Sequence, residues 1–173
     1  GQRAQHGVGA WGWQSGGRGN EFLTGYALYA LHTAKRLGYP VENGRVVNAL
    51  QAVERMLTDA ANDRDAAAYL LYVYALYGRW NDPAFRAIAT DKKPTAYTLS
   101  FLVRALALGR NIRNLQPSDR ERLGTALPRA LDALRNMQKR DARGVYWEAL
   151  PSHAWIWQGG SVELTAHVLE SLV

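Results

Sequence analysis

The residues best suited to chemistry lie in a tryptophan-rich segment near the carboxyl end of the chain. Glu148 and His153 are flanked there by Trp147, Trp155 and Trp157. A carboxylate and an imidazole among indole rings are typical of a carbohydrate cleft, in which the rings lie against the sugar and the acid acts on the glycosidic bond. The segment is therefore a candidate site for a polysaccharide-active enzyme.

The same segment lacks a clear second carboxylate, which glycoside hydrolysis needs on the opposite side of the scissile bond. Glu163 is the other acid near these aromatic residues. Tryptophan rings with N–H groups also suit a half-buried loop that packs over a helical core. We therefore expect an aromatic loop with a packing role and no catalytic residues.

The other chemistry-bearing residues do not predict a metal or cofactor site. The chain has no cysteine, which excludes thiolate zinc ligands, a cysteine nucleophile and disulfides. The histidines His6, His32, His153 and His167 do not have H-x-x-x-H or H-E-x-x-H spacing. His167 lies in an apolar helical segment and is expected to be a core residue. Because no P-loop, dinucleotide fingerprint or G-x-S-x-G motif occurs, no cofactor is expected.

Two short motifs resemble motifs of terpenoid cyclases, but neither supplies the catalytic acid of those enzymes. Residues 5–11 fit Q-x-x-x-G-x-W, which resembles a structural repeat motif of squalene-hopene-type cyclases. Asp63-Arg64-Asp65 is shorter than the D-x-D-D motif with which those enzymes protonate an alkene. A prenyltransferase would need a cysteine ligand for its zinc. A terpenoid-cyclase-like enzyme is therefore an alternative interpretation.

Length, charge and hydropathy limit the function classes. A chain of 173 residues is expected to form one domain. Its formal net charge of +6 comes from scattered basic residues, so nucleic acid is not an expected partner. No run of about 18 apolar residues predicts a membrane span. The helical pattern of residues 162–173 continues without a Gly, Asn or Pro to end it, so we expect residues 1–173 to be a partial domain, truncated at both ends.

Helical segments of two kinds alternate along the chain. Segments of the first kind are apolar nearly all round, which predicts burial on most sides; they span residues 22–37, 66–77, 95–108 and 162–173. Segments of the second kind carry one apolar stripe and a polar face that predicts contact with water. One stripe is Val46/Val47, Leu50, Val53 and Leu57, and the other is Leu123, Leu127, Ala130/Leu131, Leu134 and Met137. We expect Tyr69, Leu70 and Tyr74 in the core and Arg55 on the surface.

Glycine, proline and polar residues predict where these helices begin and end. Gly38, Gly78 and Gly109 follow three of the apolar segments, where a left-handed residue closes the last turn. Residues 118–121 (SDRE) form a capping box, which predicts a helix capped by the serine. Pro128 lies inside that helix and is expected to kink or interrupt it.

The apolar segments resemble one another, which predicts stacked helical hairpins. A small residue before an aromatic one recurs in each: Gly25-Tyr26, Ala68-Tyr69, Ala96-Tyr97 and Ala166-His167. Residues 23–28 (LTGYAL) and 164–169 (LTAHVL) match best, and a loop rich in tryptophan and glycine precedes each. The second loop is expected to form a hairpin across Pro151-Ser152. Repeats of this kind indicate an open solenoid or a ring.

Several of these segments resemble one family. Residues 11–13 (WGW), 21–28 (EFLTGYAL) and 34–41 (AKRLGYPV) resemble the thioester domain of bacterial α2-macroglobulin-like proteins. Residues 146–148 (YWE), 155–157 (WIW) and 162–169 (VELTAHVL) are similar to a later loop-and-helix segment of that domain. The order and separation of the two parts also fit, so the resemblance covers nearly the whole chain.

The resemblance implies an all-α fold of the α/α toroid type, like that of terpenoid cyclases and prenyltransferases, with inner and outer helices alternating. The helices of this chain would form a partial ring, little more than half of six pairs. Family members are large secreted or periplasmic proteins that trap proteases after cleavage of a bait region. Many then attach to the target through a Cys–Gln thioester. Without a cysteine, no functional residue of the family is carried over to this chain.

The expected function is therefore a structural and protein-binding role in protease trapping or inhibition, without enzymatic activity. The expected partners are other domains of the parent chain and target proteases, and the expected location is periplasmic or extracellular, with any membrane anchor in the parent protein. In a partial ring, the face near Val168, Leu169 and Leu172 should be left uncovered.

Two alternatives stay open at this point. A polysaccharide-active or terpenoid-cyclase-like α/α-barrel enzyme would need two acids facing the central cavity, where a protease inhibitor should have apolar packing. A plain solenoid of helical hairpins that binds a partner would have an open concave surface and no ring curvature.

Overall fold

The computed structural model describes residues 9–12, 19–58, 63–149 and 160–173. The described residues form helices α1 (Glu21–Arg36), α2 (Asn43–Thr58), α3 (Arg64–Leu76), α4 (Asp82–Ala89), α5 (Ala96–Gly109), α6 (Pro117–Asn136) and α7 (Ser161–Leu172), with a short hairpin of β1 (Lys139–Asp141) and β2 (Gly144–Tyr146) before α7. The predicted all-α fold is confirmed. Within the described ranges, none of the helices combines the length and the apolar character that a membrane span requires.

The helices lie in two rows. Helices α1, α3, α5 and α7 pack side by side in chain order and are termed the central row. Helices α2, α4 and α6 pack against its members and are termed the flanking row: α2 contacts α1 and α3, α4 contacts α3, and α6 contacts α5. The alternation of apolar and one-sided segments in the sequence corresponds to these two rows.

Helices α3 and α5 form the centre of the core. Both are buried along nearly their whole length, as their lack of a polar face predicts. Tyr69, Leu70 and Tyr74 are buried as expected. Full burial of one large apolar side chain contributes roughly 1.5–3 kcal/mol. The pair α3 and α5 therefore supplies much of the driving force for folding.

Helix α1 is covered less than its composition predicts. It buries Thr24, Gly25 and Leu28, whereas Tyr26 is 53% and Tyr29 36% exposed. The reason is position, because among the described helices α1 stands at the end of the central row, with α3 as its one neighbour in that row. The expectation of burial on most sides is therefore wrong for α1.

Helix α7 stands at the other end of the row, and the expectation of an uncovered face holds there in part. Leu169 is 53% exposed, as expected, and Leu172 is partly buried. Val168 is fully buried instead, because α7 packs on α5. Expecting Val168 to be uncovered was wrong, since it lies on the face that contacts the core.

Helices α2 and α6 have the predicted single buried stripe in their middle parts, whereas Val47 and Met137, which the prediction also includes, are exposed. Leu50, Val53 and Leu57 of α2 are buried, and Arg55 is exposed. In α6 the buried residues are Leu123, Ala130 and Leu134. Leu127, which the stripe also includes, is partly buried.

Two of the three predicted glycine helix ends are confirmed. Gly38 and Gly78 have φ angles of 85° and 70°, which glycine adopts readily and L-residues adopt rarely. Gly109 instead ends α5 as a helical residue, so the prediction of a left-handed cap there is wrong. A Cβ at Gly109 would lie 2.7 Å from Cζ3 of Trp80 and 2.8 Å from Cδ2 of Leu123. The absence of a side chain therefore serves close packing.

The start of α6 and its internal proline also differ from expectation. The helix begins at Pro117, its N-cap is Gln116, and no side chain caps it. The predicted serine cap is wrong because Pro117, with a fixed φ, takes the first helical position itself. Pro128 does not interrupt α6. The carbonyl it leaves without a donor belongs to Gly124, which is exposed and can bond to water.

Helix α4 and the hairpin lie outside the segments that the apolar pattern predicts. Helix α4 has 8 residues, too few for a clear periodicity, and begins where the Asn81 side chain accepts a hydrogen bond from the N–H of Ala84. In the hairpin Arg140 pairs with Val145, and Gly144 has a φ of 133°. The hairpin expected across Pro151-Ser152 lies outside the described residues.

Candidate functional site

Trp147, the first tryptophan of the predicted carbohydrate segment, is a core residue. It is 2% exposed, and its Nε1 donates a hydrogen bond to the carbonyl oxygen of Leu134 over 2.7 Å. A ring buried in this way has no face left for a sugar. The expectation that this part of the loop has a packing role fits the structure.

The structure does not bring the predicted acids together. Glu148 forms an ion pair with Lys139 of the hairpin, and both side chains are half-exposed. The hydrogen bond and the charge of Glu148 raise the pKa of Lys139. Glu163 lines a different cavity from Glu148. His153, Trp155 and Trp157 lie outside the described residues.

The acidic motif at residues 63–65 is structural. Asp63 is the N-cap of α3, and its carboxylate accepts hydrogen bonds from the backbone N–H groups of Asp65 and Ala66 at 3.0 Å. Asp65 is buried and accepts hydrogen bonds from the hydroxyls of Thr95 and Thr98 at the start of α5. Asp63 therefore caps α3, Asp65 joins α3 to α5, and neither lines the cleft described next.

A cleft of about 180 Å³ lies along the central row, and every helix of the row contributes to it. We term it the aromatic cleft. It is lined by Tyr26 and Tyr29 of α1, Tyr69 and Tyr72 of α3, Phe101 and Arg104 of α5, and Glu163, His167 and Glu170 of α7.

The helical repeat places these residues on one face. Residues three or four positions apart lie on the same side of a helix. The lining pairs of α1, α3 and α5 are all three apart, and the lining residues of α7 are four and then three apart. One pattern, repeated on four neighbouring helices, therefore builds a continuous wall.

Phe101 is the centre of the ring packing beneath the cleft. Its ring centroid lies 5.0 Å from that of Tyr69, 4.8 Å from that of Tyr97 and 5.2 Å from that of His167. The planes of Tyr69 and Phe101 meet at 69°, an edge-to-face arrangement that aromatic quadrupoles favour. The floor of the cleft is thus fixed by contacts across α3, α5 and α7.

Gly25, the small residue before Tyr26 in the repeated motif, also has a physical role. A Cβ on Gly25 would lie 2.6 Å from Cε1 of Tyr69. Glycine at this position therefore lets α1 approach the ring of α3 closely. Phe22, one turn earlier, stacks on the same ring at a centroid distance of 6.0 Å. The Gly25-Tyr26 motif of α1 is thus a packing device.

Arg104 is a cation held among rings. Its guanidinium carbon lies 4.7 Å from the ring centroid of Tyr72 and 5.5 Å from that of Phe101. It pairs with the carboxylate of Glu170, and its side chain is 12% exposed. A ring face attracts a cation electrostatically when the cation lies within about 6 Å of the ring centroid.

His167 lies between the two acids of α7. Its Nε2 is 3.8 Å from an Oε atom of Glu163, and its Nδ1 is 4.0 Å from an Oε atom of Glu170. Burial and, next, the charge of Arg104 lower its pKa, against the opposing effect of the two carboxylates. The imidazole is therefore neutral at pH 7. It lines the cleft and is not the enclosed core histidine expected from the sequence.

Burial also raises the pKa of the phenols of Tyr69 and Tyr72. Both stay protonated at physiological pH, as uncharged hydroxyls. The described residues contain no group of three or more His, Asp or Glu fit to hold a metal. The cleft therefore offers ring faces, neutral hydroxyls, two carboxylates and one guanidinium.

The sequence identified only part of this cleft. Tyr26, Tyr69 and His167 were marked by the repeat, but as core positions. Arg104 and Glu170 were missed, although an arginine inside an otherwise apolar helix is a signal for a paired charge. No family model, curated protein or solved structure matches the chain.

Proposed function

We propose that this chain is a segment of an α/α toroid from the thioester-type domain of a bacterial α2-macroglobulin-like protein. Its role there is structural and protein-binding, within a machine that traps and inhibits proteases. The observation that carries the proposal is the alternation of central and flanking helices from α1 to α7. A toroid needs inner helices that pack side by side and outer helices that cover them.

The two tryptophan loops support the same proposal. Trp11 donates its backbone N–H to the hydroxyl of Thr24 in α1 at 3.0 Å, and Trp147 donates to that of Thr165 in α7 at 3.1 Å. The two segments that resemble the family therefore also share a local structure. A ring built from repeated helix pairs would use such a junction more than once.

The α7 end of the central row indicates where partners would bind. Leu169 is exposed there. Further helices or other domains of the parent protein would cover this face, and a trapped protease would be the second kind of partner. The parent protein would be periplasmic or extracellular, with any membrane anchor outside this chain.

Catalysis is not part of the proposed role. A thioester needs a thiol, and the chain has no cysteine. The parent protein, incubated in molar excess over a protease, tests the proposal by showing whether the protease is trapped. A trapped protease keeps its activity on a small chromogenic peptide and loses it on a large protein substrate. Equal inhibition on both substrates, or on neither, would contradict the proposal.

An α/α-barrel enzyme acting on polysaccharides or terpenoids is the second candidate. The observation in its favour is that Glu163 and Glu170 both line the aromatic cleft. Both project from α7, however, whereas glycosidases place their acids on opposite sides of the bond. A glycan panel and squalene test this candidate. Turnover that is lost in Glu163→Gln or Glu148→Gln would favour the enzyme.

A further inference from the structure

The aromatic cleft suits a ligand of few heavy atoms. Its volume is about 180 Å³, whereas sites for drug-sized molecules measure about 300–1,000 Å³. Tyr26 and Tyr29 stand at its exposed rim, and Tyr69 lies deeper. The cleft has room for the tip of a long side chain or for a small organic molecule.

The charges that line the cleft sum to one negative charge at neutral pH. Arg104 pairs with Glu170, and His167 is neutral because burial lowers its pKa. Within the described part of the chain no lysine or arginine pairs with Glu163, whose ionic neighbour is His167. Glu163 therefore leaves one carboxylate charge uncompensated beside the tyrosine rings.

Arg104 shows which kind of group the aromatic cleft already holds. Its guanidinium lies against the rings of Tyr72 and Phe101 and pairs with Glu170. The rest of the cleft offers the same combination, since the ring of Tyr29 and the carboxylate of Glu163 line the same cavity. Ring faces and a carboxylate attract a cation for the same electrostatic reason.

We propose that the aromatic cleft binds an alkylammonium or alkylguanidinium group. The tyrosine faces attract the cation, and the carboxylate of Glu163 accepts hydrogen bonds from its N–H groups. A primary ammonium therefore binds better than a quaternary one. The group comes from a lysine or arginine side chain of a polypeptide or from a free amine. The proposal concerns this cleft alone and does not depend on the protease-trap assignment.

The probes are n-butylammonium, n-butylguanidinium, tetramethylammonium and the neutral n-butanol, each titrated into the ¹⁵N-labelled chain and followed by NMR. The two N–H cations should shift amide resonances of the central row in a saturable way. The affinity of n-butanol should be about tenfold lower than that of n-butylammonium. A peptide with one lysine, compared with its lysine-acetylated form, separates the two sources. Tighter binding of the peptide than of n-butylammonium indicates a polypeptide ligand, and equal binding indicates a free amine.

Variants locate the site. Glu163→Gln keeps the shape of the side chain and removes its charge, so n-butylammonium should bind about tenfold more weakly. Glu54→Gln makes the same change on the exposed face of α2 and should bind within about twofold of the unaltered chain. Tyr29→Leu removes a rim ring outside the core and should also weaken binding, which keeps the test valid if Glu163→Gln fails to fold.

Any one of the following results would overturn the proposal. The first is the absence of saturable shifts with either N–H cation. The second is n-butanol binding as well as n-butylammonium. The third is equal binding by folded Glu163→Gln and Glu54→Gln, or undiminished binding by Tyr29→Leu.

Discussion

The backbone N–H of Trp147 donates a hydrogen bond to the hydroxyl of Thr165 at 3.1 Å, and that hydroxyl lies 3.5 Å from the carbonyl oxygen of the same tryptophan. Trp11 and Thr24 have the same relationship, with distances of 3.0 Å and 3.3 Å. One threonine side chain thus satisfies both backbone groups of a loop residue. The junction between loop and helix is the same at both ends of the central row.

Replacing Thr24 by valine should destabilise the chain. Valine has the shape of threonine but leaves the N–H of Trp11 without its partner, which costs about 1–3 kcal/mol for a buried donor. Urea unfolding followed by circular dichroism measures the loss. Thr24→Ser keeps the hydroxyl and should lose less than Thr24→Val. If the serine variant is the less stable of the two, the hydroxyl does not hold the junction.

Gly109→Ala and Gly124→Ala should change stability in opposite directions. A methyl group at Gly109 would meet Trp80 and Leu123, and overpacking of this kind costs about 1–3 kcal/mol. A methyl group at Gly124 meets nothing within 4 Å on the exposed side of α6, so alanine should stabilise the helix by about 0.5–1 kcal/mol. Thermal unfolding compares them. Shifts of the same sign would mean that one of the two environments is misassigned.

Leu70→Ala should cost far more than Arg55→Ala. Leu70 is 1% exposed in α3, and the cavity left by its truncation costs about 2–5 kcal/mol. Arg55 is exposed on α2, where truncation costs less than about 0.5 kcal/mol. Chemical denaturation gives both values. Comparable losses would contradict the assignment of α3 to the core and of the Arg55 face to solvent.

His167 should make the fold less stable as the pH falls. Burial lowers its pKa below the usual 6.5, so the unfolded chain takes up this proton at a higher pH than the folded chain does. Stability is therefore lost as the pH falls through 6.5 toward the folded pKa. His167→Gln should flatten the dependence of unfolding free energy on pH between about 7.5 and 5.5.

His32 has a lowered pKa as well, caused by burial and by Arg36 and Lys35. It is present in both proteins of this comparison, so the difference between them isolates His167. Urea midpoints at a series of pH values provide the measurement. Parallel pH curves for the two proteins would show that His167 does not titrate differently on folding.

The helical segments could be predicted because their apolar periodicity is a local property. Where each helix lies in the row is not local, and this is why the exposure of Tyr26 and the burial of Val168 differ from expectation. The composition of a helix indicates whether it can be buried. The number of helices that pack against it determines whether it is buried in the fold.

The aromatic cleft could be predicted only in part for the same reason. The repeat in the sequence aligns Tyr26, Tyr69 and His167. The cleft residues three positions later on each helix could not be identified from the sequence, because their meeting depends on how neighbouring helices are aligned. Arg104 depends on Glu170, which lies 66 positions later, so their pairing needs the contact between α5 and α7. Gly109 was assigned to a turn because its packing partner Trp80 is on another segment.

The row arrangement also has a consequence for how the chain folds. Helices α1, α3 and α5 each contact the helix that follows them and the central-row helix two places further along the chain. Contacts between elements that are near in the chain favour rapid folding. The α3 and α5 pair, covered on most sides, should retain protection against amide hydrogen exchange longest. Helices α1 and α7 each have a neighbour in the row on one side alone and should exchange earlier, by opening from the ends inward.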